Sequence, residues 1–155
     1  LFTVESDAHY MRRALELAAA AGQAGEIPIG AVLVDAAGRV IGEGANSREE
    51  THDPTDHAEL TAMRAAAREL GDWRLSQCTM YVTVEPCPMC AGACVMSRLG
   101  TLVIGAWNDE YGATGSRWDL VRDARLPHRV EVRSGVLAQE CGDLLREFLA
   151  ERRNS

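Results

Sequence analysis

Two short segments rich in metal-ligating side chains constrain this chain more than anything else in it: His57-Ala58-Glu59 and, thirty residues on, Pro86-Cys87-Pro88-Met89-Cys90. Each stands where a helix is expected to begin. Residues 51–56 carry His, Asp and Pro and read as a loop, and an alanine-rich helix is predicted over 57–70. Pro88 suits a first-turn position, where its missing N–H goes unneeded, and opens a helix predicted over 88–97. Taken singly the two segments say little, since a lone histidine is usually a satisfied surface or core residue and a lone Cys-x-x-Cys can be a redox pair. Together they offer one imidazole and two thiolates, the borderline-soft set that zinc prefers, and three protein ligands leave the fourth tetrahedral position open for water. His57, Cys87 and Cys90 are therefore the candidate ligands of one zinc ion. The fold must bring two helix N-termini, distant in sequence, to a single point, and the positive end of each helix dipole favours ionised thiols there. Glu59 stands two positions from His57 and so does not share its helix face. It is assigned as general acid and base for a water acidified by the metal.

The remaining pattern supplies the frame. Apolar residues recur at three and four over 10–21, which predicts a helix ended by Gly22 and Gly25. The apolar run 29–34 and the segment 40–44, joined by Asp35-Ala36-Ala37-Gly38, read as a β-hairpin. Strands are predicted at 80–84, 102–106 and 130–133, a glycine-containing loop at 108–115, a short helix at 118–123, and a closing helix through Leu137, Cys141, Leu144, Leu145 and Phe148. Strands separated by helices usually pair in parallel, so the expected architecture is α/β: a five-stranded mixed sheet layered with helices. With no linker, repeat or low-complexity tract, residues 1–155 are read as a single domain, long enough to bury about two thirds of its unfolded surface.

Composition narrows the partners. No apolar run approaches the roughly 18–20 residues of a membrane span, and residues 1–10 are acidic and mixed, unlike a secretory signal, so a cytoplasmic location and no membrane partner are expected. Five cysteines, an odd number, favour thiols and metal ligands over a disulfide framework, with Cys78, Cys94 and Cys141 read as small buried apolar residues. The net charge of −7 argues against a partner held mainly by bulk attraction to phosphate. All 16 basic residues are arginine, which suits bidentate phosphate contacts but is equally explained by coding bias.

The histidine–glutamate and Pro-Cys-x-x-Cys segments match the signature of zinc nucleobase deaminases. Gly30-Ala31-Val32-Leu33-Val34, Asp53-Pro54-Thr55, Tyr81-Val82-Thr83-Val84-Glu85, Cys90-Ala91-Gly92-Ala93 and His128-Arg129-Val130-Glu131-Val132 extend the likeness over nearly the whole chain, which resembles the bacterial tRNA adenosine deaminases of the cytidine-deaminase superfamily. The resemblance implies a three-layer α/β/α fold, a homodimer, and conversion of adenosine to inosine at the wobble position of a tRNA anticodon stem-loop. It further implies attack of zinc-bound hydroxide on C6 of adenine with Glu59 as proton shuttle, and a water or oxyanion oriented by the backbone N–H groups of Ala58 and Cys87. Asn46 matches the family's polar contact to the purine, and Arg152 and Arg153 match positions near the RNA-binding end of the last helix. Where the family pattern has aspartate, this chain has Asn108, expected beside the sugar-phosphate path, where its carbonyl can accept from a ribose 2′-hydroxyl and bear on RNA over DNA selectivity.

Other readings stay open. Asn46 is also a good turn former, the arginines also favour a helix C-terminus, and Trp107, Tyr111 and Trp118 suit stacking on unpaired bases as well as a core or a dimer interface. The rival enzyme is a zinc-dependent deaminase of free nucleobases or nucleosides. The rival of another class is a noncatalytic zinc-stabilised interaction module, which would want a fourth protein ligand in place of Glu59.

Overall fold

The strands at 30–34 and 79–84 are buried at every position, which explains why neither alternates between apolar and charged residues: helices cover both faces of the sheet they form. The computed structural model describes residues 3–154, in the order α1 Val4–Gln23, β1 Gly30–Val34, β2 Val40–Ala45, α2 Arg48–Thr51, α3 Ala58–Leu70, β3 Thr79–Val84, α4 Pro88–Met96, β4 Thr101–Ala106, β5 Glu131–Arg133 and α5 Ala138–Arg153. The sheet order is β2-β1-β3-β4-β5. β1 runs antiparallel to both neighbours, whereas β3, β4 and β5 are parallel, so the sheet is mixed as expected.

Alternation survives as a choice between two cores. Ala31, Leu33, Met80, Val82, Leu102 and Ile104 point to the face covered by α3 and α4. Val32, Val34, Tyr81 and Val103 point to the opposite face, under α1 and α5. The result is three layers, α/β/α. On the second face a buried polar lock joins distant elements: Tyr81 Oη donates to Asp7 Oδ1 at 2.8 Å, and Arg133 closes on the same carboxylate at 3.0 and 3.1 Å.

Three expectations are corrected. The first helix begins at Val4, not at residue 10, because Thr3 and Ser6 cap each other reciprocally and supply the orphan N–H groups with partners. The short helix expected at 118–123 does not form: Trp118 N donates to Gly112 O, Gly115 N donates to Trp118 O, and residues 114 and 119 make an isolated bridge, so the backbone is spent on turns. Conversely, one helical turn, α2, occupies 48–51 ahead of the loop. Among the described residues no helix is long and apolar enough to cross a membrane.

The layer that matters for the site is α3 on β2. A Cβ on Gly42 would lie 2.2 Å from the Ala62 carbonyl oxygen, and one on Gly44 2.2 Å from that of Ala58, so strand and helix meet at backbone contact distance. Gly44→Ala should lift the start of α3 off the sheet and destabilise the protein by about 3 kcal/mol, the upper end for overpacking. A urea titration checks this; an unchanged midpoint would mean that α3 yields freely.

Candidate metal centre and its pocket

His57 and Cys87 are the N-cap residues of α3 and α4, both in extended backbone conformation, and neither side chain caps its own helix. That frees both side chains to turn toward a common point, where Cys90 joins them from the first turn of α4. His57 Nδ1 lies 3.6 Å from Cys87 Sγ and 3.5 Å from Cys90 Sγ, and all three donor atoms fall within 4.8 Å of one another. A tetrahedral zinc with Zn–N near 2.0–2.1 Å and Zn–S near 2.3 Å has an N···S edge of about 3.6 Å. The donor set therefore fits zinc in type and in spacing. Hydrogen bonding from Cys90, then from His57, holds the Cys87 thiol down at about 4. Cys90 is pushed up by that same bond and by burial, and His57 is raised by Cys87. One thiolate is thus prepared in advance, and a dication favours the second.

Glu59, on the first turn of α3, is only 4% exposed and faces a pocket of about 410 Å³ together with Asn46, His57 and Cys87. Burial raises its carboxyl to about 7, opposed in part by its own backbone N–H. A carboxyl that holds or yields a proton near neutrality beside an open metal position is what acid–base chemistry on a small polar substrate requires. Ile27, Ile29, Val84, Leu145 and Leu149 give the pocket an apolar lining suited to an aromatic base.

Two buried carboxylates hold the pocket's walls. Glu26, from the α1–β1 connection, accepts from Glu49 N at 3.0 Å and Glu50 N at 2.9 Å and so serves as the N-cap that Ser47 does not provide for α2. This fixes Arg48 at the rim. Glu85, 2% exposed at the end of β3, accepts from the backbone N–H groups of Asn108, Thr114 and Ser116, each at 3.0 Å, and from the Ser116 hydroxyl. It ties down the long β4–β5 connection, whose residues Asn108, Glu110 and Tyr111 complete the pocket.

The expected substrate residues fare differently. Asn46 reaches the pocket and caps α3, its Oδ1 accepting from Ala58 N at 2.9 Å. That bond corrects the expectation for Ala58, whose N–H is committed to Asn46 and is not turned to a water or oxyanion. Asn108 also reaches the pocket, but its Oδ1 accepts from Glu110 N and Tyr111 N, each at 3.1 Å. Both carbonyl lone pairs are thereby spent on an Asx turn, so the group left for another partner is the NH2, a donor and not the acceptor expected. Arg152 lies over the Phe148 ring at 4.8 Å and donates to the Gly25 carbonyl, and neither it nor the exposed Arg153 lines the pocket. Cys78, Cys94 and Cys141 are buried thiols. Glu26, Glu85 and Arg48 escaped the reading of the sequence; an acidic residue directly after a strand with no other charged residue was the one available signal, at Glu85.

Comparison with known proteins agrees with this geometry. Residues 4–106 match the family model described as the cytidine and deoxycytidylate deaminase zinc-binding region. The chain is 50% identical over 149 residues to the tRNA-specific adenosine deaminase of Haemophilus influenzae, covering 96% of this chain and 86% of that one. A solved structure from a study of A-to-I editing by tRNA:A34 deaminases at the wobble position superposes with a TM-score of 0.85 at 40% identity, over 88% of this chain and 99% of that chain. A guanine deaminase from Nitrosomonas europaea superposes with a TM-score of 0.80 at 26% identity, over 92% of this chain and 84% of its own. With the ligand trio, the buried glutamate and the three-layer fold all in place, the chain belongs to the zinc-binding cytidine and deoxycytidylate deaminase family.

Proposed function

We propose that this protein hydrolytically deaminates adenosine to inosine at the wobble position of a tRNA anticodon. The observation that carries the reading is 50% identity to a tRNA-specific adenosine deaminase along 96% of the chain, with His57, Glu59, Cys87 and Cys90 converging on one pocket. His57, Cys87 and Cys90 would hold one zinc, which when bound supplies an acidified water at its open position. Glu59 would take one proton from that water and pass it to the purine ring nitrogen, then carry the second to the amino group, so that a C6–O bond forms, the C6–N bond breaks and ammonia leaves. Asn46 donates through its amide NH2 to the base, the N–H of Cys87 orients the water, and Asn108 donates toward the sugar or phosphate. Arg152 and Arg153 lie farther along the RNA path at the end of α5. The whole chain acts as one deaminase domain in the cytoplasm, where its tRNA is found.

A homodimer is part of the same proposal. Trp73 and Met96 remain largely exposed beside an apolar groove lined by Leu60, Met63, Ala67 and Ala93 between α3 and α4, a surface suited to a second copy.

The deciding assay incubates the zinc-loaded protein with an anticodon stem-loop and, in parallel, with free adenosine, cytidine and guanine. Inosine in the stem-loop is expected. Turnover of a free base alone would favour the reading shared with the guanine deaminase, and no turnover of any substrate the noncatalytic module. Metal analysis of Cys87→Ala and Cys90→Ala should show most of the zinc lost; full retention in both would remove the coordination. Glu59→Ala should keep its zinc yet lose at least about a hundredfold in kcat, within the range for one acid–base group. Light scattering at micromolar concentration should give twice the chain mass, and a persistent monomer with full activity would exclude the dimer.

A further inference from the structure

The aromatic residues of the β4–β5 connection are displayed instead of buried. Trp107 is 48% exposed, Tyr111 61% and Trp118 49%, although all three lie in or beside the segment that Glu85 anchors. Folding gains little by presenting large apolar rings to water on a loop fixed this firmly, with Ala113 N bonded to Pro86 O, Gly112 N to Asn108 O and Leu120 N to Ala113 O, each at 2.9 Å. Trp107 has a seat of its own: a Cβ on Gly115 would lie 3.2 Å from its Cζ3, so the indole rests on bare glycine backbone. Gly115 is also at φ +146°, where a side chain would be strained. Tyr111 lines the pocket itself, and Trp107 directly precedes Asn108, which also lines it.

We propose that Trp107 and Tyr111 are specificity-determining residues that stack on the unpaired nucleobases flanking the target adenosine. The inference rests on the reading that the substrate is an anticodon loop, and it names what grips the loop outside the pocket. Charge alone gives little grip, because the chain carries a net −7 and Arg13, Arg74, Arg122, Arg125 and Arg146 are engaged in ion pairs with its own carboxylates. Stacking on aromatic side chains does not depend on net charge and accepts any base. A loop ordered before binding also surrenders little entropy when a base settles on it. Continuity with the pocket selects nucleic acid over a second protein copy: a base drawn in toward Glu59 brings its neighbours past Tyr111, which lines the pocket, and onto the anchored segment that carries Trp107 beside Asn108.

The test compares Trp107→Leu, Trp107→Phe and Tyr111→Leu with the parent, measuring zinc content, binding of a fluorescent anticodon stem-loop, and KM and kcat for inosine formation. Leucine keeps apolar contact with Gly115 but removes the π face; phenylalanine keeps both. Trp107→Leu and Tyr111→Leu should each weaken binding and raise KM about tenfold, in the range for one stacked base, with kcat and zinc unchanged, and Trp107→Phe should recover most of the loss. An abasic site beside the target should weaken the parent similarly and leave Trp107→Leu or Tyr111→Leu little further to lose. Parent-like binding by both leucine variants would overturn the proposal, as would effects of leucine and abasic substitution that simply add, or a leucine loss that appears as a change of oligomeric mass. If the parent binds the stem-loop but forms no inosine, the editing reading fails while the binding measurements still decide whether the rings stack.

Discussion

The backbone contact between β2 and α3 governs where everything else in the site can be. Gly42 and Gly44 let the helix lie against the strand with carbonyl oxygens of Ala58 and Ala62 where side chains would otherwise stand. Asn46, just past the end of β2, then reaches across to accept from Ala58 N and fixes the first residue of the helix. His57, one position earlier, is thereby placed beyond the C-terminal end of the central strand β3, where the chain delivers Cys87. A shift of α3 by even an ångström would break an N···S spacing that matches a zinc tetrahedron.

Around this centre the protein orders its irregular segments with buried carboxylates that accept backbone N–H groups. Glu26 does so for α2 and Glu85 for the β4–β5 connection, and each thereby fixes one wall of the pocket. Hydrogen bonds to a charged acceptor contribute about 1.5–3 kcal/mol each, more than neutral ones, and leaving such donors unpaired in the interior would cost a similar amount. Glu59 contrasts with both. It is as buried as they are and lines the pocket as Glu85 also does, and burial raises its proton affinity. Three acidic side chains of similar burial thus do different work according to what faces them.

Much of the frame was legible in the sequence because its determinants are local. Periodicity located the body of α1 and α5, an alanine-rich stretch behind a loop located α3, a continuous apolar run located β1, and Pro88 marked the start of α4. The segment at 118–123 misled because its helix-compatible residues spend their backbone groups on Gly112 and Gly115 instead. The Thr3–Ser6 cap was overlooked because no apolar period accompanies it in the first turn.

For function, the sequence by itself determined the three residues that could hold a metal, the glutamate beside them and the order of the elements, since residue chemistry and short spacings are written into the chain. Only the tertiary structure decided which polar groups remain available. The Asn108 carbonyl oxygen is spent on Glu110 and Tyr111, which leaves its amide NH2 for other partners, whereas the Asn46 oxygen keeps one lone pair beyond its bond to Ala58, whose N–H is committed to that bond. It likewise placed Arg152 and Arg153 outside the pocket, brought Arg48 and Glu85 to its walls, and set Glu26 behind Arg48 as the cap of α2. The reason is physical: a hydrogen-bonding group has a fixed capacity, and how that capacity is divided between fold and substrate depends on neighbours that are distant in sequence and meet only when the layers pack.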